Sequence, residues 1–321
     1  MDHHVQFTGP TGTNAIEAGL KLARKVTGRS NVIAFTNAFH GVTAGALAAT
    51  GNRYHRVGPQ VALPGVTRVP FDGYLGDAVD AADVLQRLLD DPSSGVDPPA
   101  AIVLETVQGE GGLNVASTAW LRHIAALARE HGALLLVDDI QAGCGRTGTF
   151  FSFEEAGIIP DMVALSKSLS GFGLPMAVLL IRPQHDRWSP GEHNGTFRGN
   201  NLAFVTARVA IEKFWTDRTF THDVARRSRM LRHRLRQLSM TLPEIRMKGR
   251  GMMVGLEVGS GDRATRVGRR AFERGLIVET SGPRGEVVKV LAPLTTPDDL
   301  LDRGLTMLEQ VLTEECGPQR S

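Results

Sequence analysis

Short apolar runs alternate with helical patterns along most of this chain, and that alternation limits the possible folds more than any other feature of the sequence. Runs rich in Val, Ile and Leu are typical of strands buried on both faces of a parallel sheet. We predict such strands at Val32–Phe35, Ala101–Leu104, Leu134–Val137, Val163–Leu165 and Ala177–Ile181. Apolar residues spaced as on one face of a helix predict helices at Asn14–Thr27, Asp77–Leu89, Thr118–His131 and Ala203–Trp215. The class is therefore α/β, with a mostly parallel sheet flanked by helices.

The last part of the chain has a different pattern, which predicts a smaller α+β domain. Its predicted elements are a basic helix at Thr221–Leu242, an apolar run at Met252–Val258, a helix at Arg263–Arg274 and short strands at Leu276–Glu279 and Val287–Leu291. The chain has 321 residues, and single hydrophobic cores usually stop growing near ~250–300 residues. We therefore predict a large domain over residues 1–215 and a small one over 216–321.

Charge and cysteine content exclude several classes of protein. With 36 basic and 34 acidic side chains the net charge is only +2, so the balance calls for neither nucleic acid nor an anionic membrane. The six arginines between Arg226 and Arg236 fit a polyanion site, but their helical spacing favours a solvated face. Two cysteines, Cys144 and Cys316, are too few and too far apart for a disulfide framework or a zinc site. We therefore expect a cytoplasmic protein, since neither a signal segment nor an apolar run of the ~20 residues that span a bilayer is found.

A glycine-rich segment, Thr8-Gly-Pro-Thr-Gly-Thr-Asn14, runs directly into the first predicted helix. Free N–H groups and the helix dipole at such a junction can hold a phosphate. A turn with Pro and Gly before any helix looks similar, so this segment alone leaves both interpretations open.

Two carboxylates, Asp138 and Asp139, end the apolar run that begins at Leu134. A buried strand that ends in carboxylates must place at least one of them in a polar pocket or pair it. One reason for such a carboxylate is pyridoxal phosphate (PLP), because its pyridine nitrogen withdraws electrons only while a buried Asp keeps it protonated. The alternative is that the two carboxylates cap the next helix or pair with Arg146.

Lys167 follows the apolar run Met162–Leu165 in a segment of small residues. A lysine in such surroundings loses hydration, which depresses its pKa and makes it a usable nucleophile for a Schiff base. A lysine beside Ser and Gly is otherwise usually on the surface.

Together these segments resemble the class III (ornithine/GABA-type) aminotransferases of PLP fold type I. The phrases Phe7-Thr-Gly-Pro-Thr-Gly-Thr-Asn-Ala-Ile-Glu17 and Gly191-Glu-His-Asn-Gly-Thr-Phe-Arg-Gly-Asn-Asn201 are similar to the ectoine-pathway subgroup, which makes 2,4-diaminobutyrate. The resemblance runs from about Val5 to about Leu312 and implies PLP as the cofactor.

The resemblance implies a role for individual residues at the cofactor. Lys167 would form the Schiff base and then move the proton between the substrate Cα and the cofactor. Asp138 would pair with the pyridinium nitrogen, and Gln141 would hydrogen-bond the phenolic oxygen. The phosphate would be held by Gly12 and Thr13 with Asn14 close by, and by Thr196 from a neighbouring subunit. A homodimer would then be the smallest working unit.

Other residues would line the ring and the substrate. Phe39 in Asn37-Ala-Phe-His-Gly41 should stack on the pyridine face, with His40 beside it. The alternative is that Phe39 is a core residue and His40 a surface one. Glu105 and Glu110 would lie on the substrate side, where Glu110 would pair with a cation. Lys289 stands where ornithine- and GABA-type enzymes have an arginine for the substrate carboxylate, and it would bind as a point charge rather than a fork.

The expected reaction is amino transfer from L-glutamate to aspartate 4-semialdehyde, which gives L-2,4-diaminobutyrate and 2-oxoglutarate. The alternatives are another ω-amino transfer (ornithine, lysine or GABA type), a PLP racemase or mutase, and a PLP-binding protein without activity. The last alternative arises because family members carry on the order of a hundred residues before the phosphate loop, and a chain of this length lacks them.

Overall fold

The computed structural model describes residues 2–58 and 62–317, so the ends of the two predicted domain ranges, residues 1 and 321, lie outside the described part. The chain forms two compact units. Unit 1 comprises Met1–Thr106, Ala116–Cys144 and Phe151–Thr216, and unit 2 comprises Val107–Val115, Gly145–Phe150 and Asp217–Ser321. Unit 2 thus includes two short segments from within the first 215 residues.

Strands and helices are numbered in chain order. The strands are β1 (His4–Phe7), β2 (Val32–Phe35), β3 (Val66–Val69), β4 (Ala101–Leu104), β5 (Val107–Gln108), β6 (Asn114–Val115), β7 (Leu134–Asp138), β8 (Met162–Leu165), β9 (Val178–Ile181), β10 (Arg246–Arg250), β11 (Met253–Glu257), β12 (Glu279–Ser281) and β13 (Val287–Val290). The α-helices are α1 (Gly12–Thr27), α2 (Ala44–Ala49), α3 (Arg53–Arg56), α4 (Ala81–Asp90), α5 (Thr118–Glu130), α6 (Asn201–Phe214), α7 (Thr219–Thr241), α8 (Gly261–Glu273) and α9 (Asp298–Cys316). Among the described residues, none of these helices is long and apolar enough to cross a membrane.

The sheet of unit 1 has seven strands in the order β1-β9-β8-β7-β4-β2-β3. Strands β3, β2, β4, β7 and β8 run parallel to one another, and the continuous apolar runs of β2, β4, β7 and β8 predict this. The expectation of a parallel strand at Ala177–Ile181 is wrong, because β9 runs antiparallel to both β8 and β1. The chain passes from β8 to β9 through a short 3-10 turn, Lys167–Ser170, and not through the crossover helix that a parallel pair usually needs.

The core of unit 1 lies on both faces of this sheet. On one face α1 buries Ile16, Leu20 and Leu22 among the strands, and each such side chain contributes about 2 kcal/mol through burial. Elsewhere in the unit the ring of Trp120 packs edge-on against Phe35, with centroids 4.9 Å apart. These contacts hold the central strands in place, so the residues at the ends of the strands have fixed positions.

Unit 2 is built on a four-stranded antiparallel sheet of order β10-β11-β13-β12, with β5 and β6 as a separate two-stranded ribbon. Its core includes Leu231, Leu235, Val254, Leu256, Val288, Leu305 and Leu308, which come from α7, β11, β13 and α9. The short strand predicted at Leu276–Glu279 lies further along, at Glu279–Ser281.

The arginine-rich helix α7 has arginines on a solvated face, such as the exposed Arg229 and Arg236, and arginines that pair with a neighbouring helix. Arg226 donates to Asp298, and Arg234 donates to Asp302 and, through Nε at 2.7 Å, to Glu309. All three acceptors belong to α9. Part of the charge of the basic helix is therefore neutralised by carboxylates of a neighbouring helix within the same unit.

Candidate active site

The candidate site in unit 1 lies at the carboxyl ends of β7 and β8. Asp138 is the last residue of β7 and pairs in register with Ala164 of β8. Lys167 comes three residues after Ala164, just past the end of β8. Because the two strands are parallel, Asp138 and Lys167 lie at the same end of the sheet, beyond the carboxyl ends of the strands, where ligands of open α/β sheets bind.

Asp138 is buried and its carboxylate has two partners. Oδ1 accepts from the N–H of Ile140 at 3.2 Å, and Oδ2 lies 2.8 Å from Nδ1 of His40. Since a carboxylate only accepts, Nδ1 of His40 carries the proton and donates it. The alternative that Asp138 caps the next helix is wrong, because the described residues after β7 form turns. Arg146, the other alternative partner, donates to the carbonyl oxygen of Ala292.

His40 is buried beside Asp138, so the alternative that it is a surface residue is wrong. Burial lowers the pKa of His40, but the hydrogen bond and charge of Asp138, with the charge of Glu105, outweigh it and raise the pKa above 6.5. The N–H of His40 donates to Thr50 Oγ1 at 3.0 Å, which fixes the backbone. The imidazole and the carboxylate therefore form a paired, buried unit inside the protein.

Asp139 has a different, structural environment. Its carboxylate accepts from both the hydroxyl and the N–H of Ser152, and Thr106 donates to the same hydroxyl at 2.6 Å. Of the two adjacent acids, Asp138 is the one that pairs with His40.

Lys167 has a fixed backbone and an exposed side chain. Its φ is +49°, a left-handed conformation that is uncommon for residues other than glycine and that clusters at functional sites. Ser166 Oγ donates to the carbonyl of Met176 at 2.7 Å, and a Cβ on Gly171 would lie 2.4 Å from Cβ of Ala210 in α6. The sequence predicts that the surroundings of Lys167 remove water from its amine. This prediction is wrong, because the side chain of Lys167 is exposed to solvent.

The glycine-rich segment ends where α1 begins, at Gly12. The N–H groups of Gly12 and Thr13 stand in the first turn, where no helical carbonyl can accept from them. Asn14 is used locally, since its Oδ1 accepts from both the N–H and the hydroxyl of Thr11. The N–H groups of this first turn are therefore placed to bind a phosphate, as those of other helix N-termini do.

A hydroxyl chain that the sequence did not predict joins this loop to the segment after β2. Thr43 donates to Glu17 Oε1 at 2.7 Å, so the 2.6 Å contact between the Thr13 and Thr43 hydroxyls must use the proton of Thr13. The N–H groups of Gly45 and Ala46 also donate to Glu17 Oε1. No local pattern marks Glu17, because its partners lie 26 to 29 residues away.

Phe39 is half-buried, and its N–H donates to Oε1 of Glu105 at 2.9 Å. Its ring meets His55 edge-on, with centroids 5.0 Å apart. Glu105, predicted on the substrate side, is buried and holds the backbone of Phe39. Gln141 is half-buried in the turn after Asp138, and Thr196 is exposed in a turn before α6.

In unit 2 the structure brings Lys289 and Glu110 together. The ammonium of Lys289 is 2 % exposed and lies 2.9 Å from Oε1 of Glu110 and 3.4 Å from Oε2 of Glu279. Glu110 thus pairs with a cation, as predicted. A buried ammonium is costly to leave without a carboxylate, so a ligand that displaces Glu110 must supply a carboxylate of its own.

The residues of unit 1 fit PLP. The first-turn N–H groups of α1 suit its phosphate, the buried carboxylate of Asp138 has lone pairs left for a pyridinium proton, and Lys167 supplies a primary amine. Buried, unpaired donors and acceptors are rare in proteins, yet Nε2 of His40 is buried without a hydrogen-bond partner among the described residues. The arrangement can therefore bind a phosphorylated aromatic aldehyde and hold its ring nitrogen protonated.

Comparison with known proteins agrees with this arrangement. Residues 2–312 match the family model described as aminotransferase class-III. The chain is 58% identical to a diaminobutyrate--2-oxoglutarate transaminase of Vibrio cholerae over 98% of its own length and 76% of the relative's. It is 54% identical to the enzyme of the same name from Halomonas elongata, over 96% and 75%. The ornithine aminotransferase of Toxoplasma gondii, whose active site is partially occupied by PLP, superimposes with a TM-score of 0.84 at 27% identity, over 98% of this chain and 72% of that one.

The fold prediction is confirmed by these structures, since the seven-stranded, mostly parallel sheet is the large-domain architecture that they share. The matched range covers nearly the whole chain, and several curated relatives share more than half of their aligned residues with it. The chain belongs to the class-III aminotransferase family, whose enzymes use pyridoxal phosphate.

Proposed function

We propose that this chain transfers the amino group of L-glutamate to aspartate 4-semialdehyde, which gives L-2,4-diaminobutyrate and 2-oxoglutarate. The names of the relatives from Vibrio cholerae and Halomonas elongata support the substrate pair. The observation that carries the proposal is the pairing of buried Asp138 with His40 at the end of β7, beside the strand that leads to Lys167.

PLP, when bound, withdraws electrons from the substrate α-carbon as long as its ring nitrogen is protonated. Asp138 would accept a hydrogen bond from the protonated ring nitrogen, because Ile140 and His40 fix the orientation of its carboxylate. Lys167 would supply the primary amine that holds the cofactor, and the same amine would move the proton at the α-carbon. Its exposed side chain leaves the amine free to change position between these two tasks.

The remaining predicted contacts orient the cofactor. Gly12 and Thr13 donate their N–H groups to the phosphate, and Phe39 places its ring on the pyridine face. Gln141 donates to the phenolic oxygen. Phe39 is suited to this role because Glu105 fixes its backbone.

A homodimer completes the site by adding Thr196 of the neighbouring subunit to the phosphate. An exposed apolar face supports this assembly: Leu202, Val205 and Val209 lie on one side of α6, and Phe197 just before it is 88% exposed. Exposed apolar patches of this kind mark protein interfaces.

Lys289 binds a substrate carboxylate in this proposal. Its ammonium is buried, so a glutamate carboxylate that takes the place of Glu110 gains an interaction that water screens little. Because an ammonium is a point charge, the interaction tolerates more than one orientation of the carboxylate.

We also propose a reducing, cytoplasmic location. Both Cys144 and Cys316 are free thiols. Burial, and then the charge of Asp139, raise the pKa of Cys144 to about 12, so its thiol stays protonated and unreactive at neutral pH.

The test is a visible spectrum of the protein with PLP, followed by addition of glutamate. We expect an absorbance band of the bound cofactor that shifts when glutamate donates its amino group. Borohydride treatment followed by peptide mapping should place the pyridoxyl group on Lys167, and Lys167→Ala should remove it without unfolding the chain.

Several outcomes would contradict the proposal. A protein that stays colourless with PLP is not an aminotransferase, and a bound cofactor with no response to glutamate indicates binding alone. Turnover of γ-aminobutyrate with none of diaminobutyrate would refute the substrate assignment.

A further inference from the structure

The partner of Lys289 sits on a turn, Gln108–Gly112, which we call the glutamate turn. It joins β5 to β6, whose register pairs Gln108 with Asn114, and the N–H of Leu113 donates to the carbonyl of Gln108 at 2.8 Å. Lys289 itself lies in β13, between β11 and β12, so its backbone is held on both sides. Any adjustment of the Lys289–Glu110 pair therefore depends on the glutamate turn.

Asn114 holds the glutamate turn from within. Its amide nitrogen donates to Gln108 Oε1 at 2.9 Å and to the carbonyl of Gly111 at 3.0 Å. These acceptors lie on opposite sides of Glu110 in the chain. Both N–H groups of one side chain thus close the turn around the residue that meets Lys289.

Lys248 of β10 fixes the orientation of that amide. Its ammonium lies 2.7 Å from Oδ1 of Asn114. Because an ammonium only donates, the oxygen of Asn114 must face Lys248 and the NH2 group must face the turn. Burial lowers the pKa of Lys248, and Glu257 and Glu286 oppose that change.

The far side of the glutamate turn is attached to the segment after β12. The N–H of Gly282 donates to the carbonyl of Glu110 at 3.0 Å. Gly112 has a φ of +102°, and a Cβ there would lie 3.1 Å from Cα of Gly282. The turn is therefore held by Asn114 on one side and by Gly282 on the other.

We propose that Asn114 and Lys248 are positioning residues that set how firmly Glu110 occupies Lys289, and so how readily a substrate carboxylate replaces it. The inference rests on the proposed function, in which Lys289 binds the carboxylate. In the wild-type chain the anchored turn keeps Glu110 on the ammonium as a competitor. Loosening the turn weakens the competitor without altering the ammonium itself.

Three variants distinguish the effect of the Asn114 amide hydrogen bonds from the effect of the Lys248 charge. Asn114→Asp keeps an acceptor for Lys248 but removes both N–H donors, Asn114→Leu removes all three contacts, and Lys248→Met removes only the ammonium. Arg274→Gln is the matched control, because it also removes one cation from unit 2, but Arg274 pairs with Glu314 of α9.

We expect the KM for glutamate to fall about fivefold in all three variants, the factor that about 1 kcal/mol of lost hydrogen bonding produces. The kcat should stay within about twofold of wild type, because no group at the cofactor changes. The Kd of the unreactive dicarboxylate glutarate, measured by calorimetry on the PLP-loaded protein, should fall in parallel. Hydrogen exchange in the peptide that contains the glutamate turn should become faster, and Arg274→Gln should change none of these quantities.

An unchanged KM and glutarate Kd, together with faster exchange in the turn, would overturn the inference. So would a fall in kcat and stability at constant KM, since that pattern indicates a structural role alone. Lys289→Met distinguishes a failure of the proposed carboxylate site from a failure of the positioning role. If this variant leaves the KM for glutamate unchanged, Lys289 does not bind the substrate carboxylate and the proposed function is wrong on this point. If it raises the KM while the Asn114 variants have no effect, only the positioning role fails.

Discussion

The buried pair of His40 and Asp138 gives the sharpest prediction, which is the coupling between the two side chains. Both are at most 5% exposed, and 2.8 Å separates Nδ1 from Oδ2. Removing one partner of such a pair leaves the other buried and uncompensated, which costs about 3 kcal/mol of unfolding free energy. We therefore expect His40→Leu and Asp138→Asn each to destabilise unit 1 by about this amount.

The double variant should lose much less than the sum of the two losses, because neither group is then left without its partner. A loss of about 4 kcal/mol, instead of about 6, corresponds to a coupling energy of about 2 kcal/mol, within the range of hydrogen bonds to charged groups. The assay is urea unfolding followed by tryptophan fluorescence. Trp120, Trp188 and Trp215 all lie in unit 1, so the signal reports the unit that contains the pair.

The pH dependence of the coupling has a definite sign. Since the pKa of His40 is raised above 6.5 in the folded protein, the stabilisation is fully present below pH 6.5. It is lost as the pH rises through the folded pKa. The coupling should therefore be larger at pH 6 than at pH 9. Single losses that add within about 0.5 kcal/mol would refute the reasoning, as would a coupling that grows with pH.

Three further variants test the surroundings of the site and the second unit. Gly41→Ala should weaken PLP binding, measured by equilibrium titration, and destabilise the chain by about 1–3 kcal/mol, measured by chemical unfolding. The reason is that the φ of Gly41 is +124° and a Cβ there would lie 2.3 Å from the hydroxyl oxygen of Thr13. Arg234→Met should lower the free energy of unfolding by about 2 kcal/mol, because Arg234 pairs with Glu309 in a partly buried position. Arg208→Met, which breaks an exposed pair with Glu212 within one helix, should lower it by less than about 0.5 kcal/mol, and equal losses would contradict the reasoning. Cys144, with its pKa at about 12, should react with iodoacetamide at pH 8 only after unfolding, as mass spectrometry would show.

Much of the fold was predictable from the sequence, and the missed elements have physical explanations. Strand β10 (Arg246–Arg250) is an edge strand with charged side chains, so it has no apolar run to detect. Strand β3 is also at an edge, and its sequence Val-Thr-Arg-Val is short and half polar. Helix α9 is different, because its buried residues recur at helical spacing and could have been recognised: Leu301, Leu305, Leu308, Val311 and Leu312.

The candidate site was predictable where strand ends determine it and not where distant segments meet. Asp138 and Lys167 follow apolar runs, so parallel pairing alone brings them to one edge of the sheet. The contact between His40 and Asp138 joins residues 98 positions apart, and no local pattern encodes it. The exposure of Lys167 was also not predictable, because it depends on how the turn after β8 packs against α6.

The choice between Asp138 and Asp139 illustrates how the sheet assigns function. Consecutive residues at a strand end point to opposite sides, so one acid faces away from the surroundings of the other. Asp139 accepts from the hydroxyl and the N–H of Ser152. Asp138 hydrogen-bonds the buried imidazole of His40, and this hydrogen bond and the charge of Asp138 raise the pKa of the imidazole against the effect of burial. The proposal therefore assigns the pyridinium to Asp138, whose carboxylate is buried, oriented by His40 and Ile140, and placed at the same end of the sheet as Lys167.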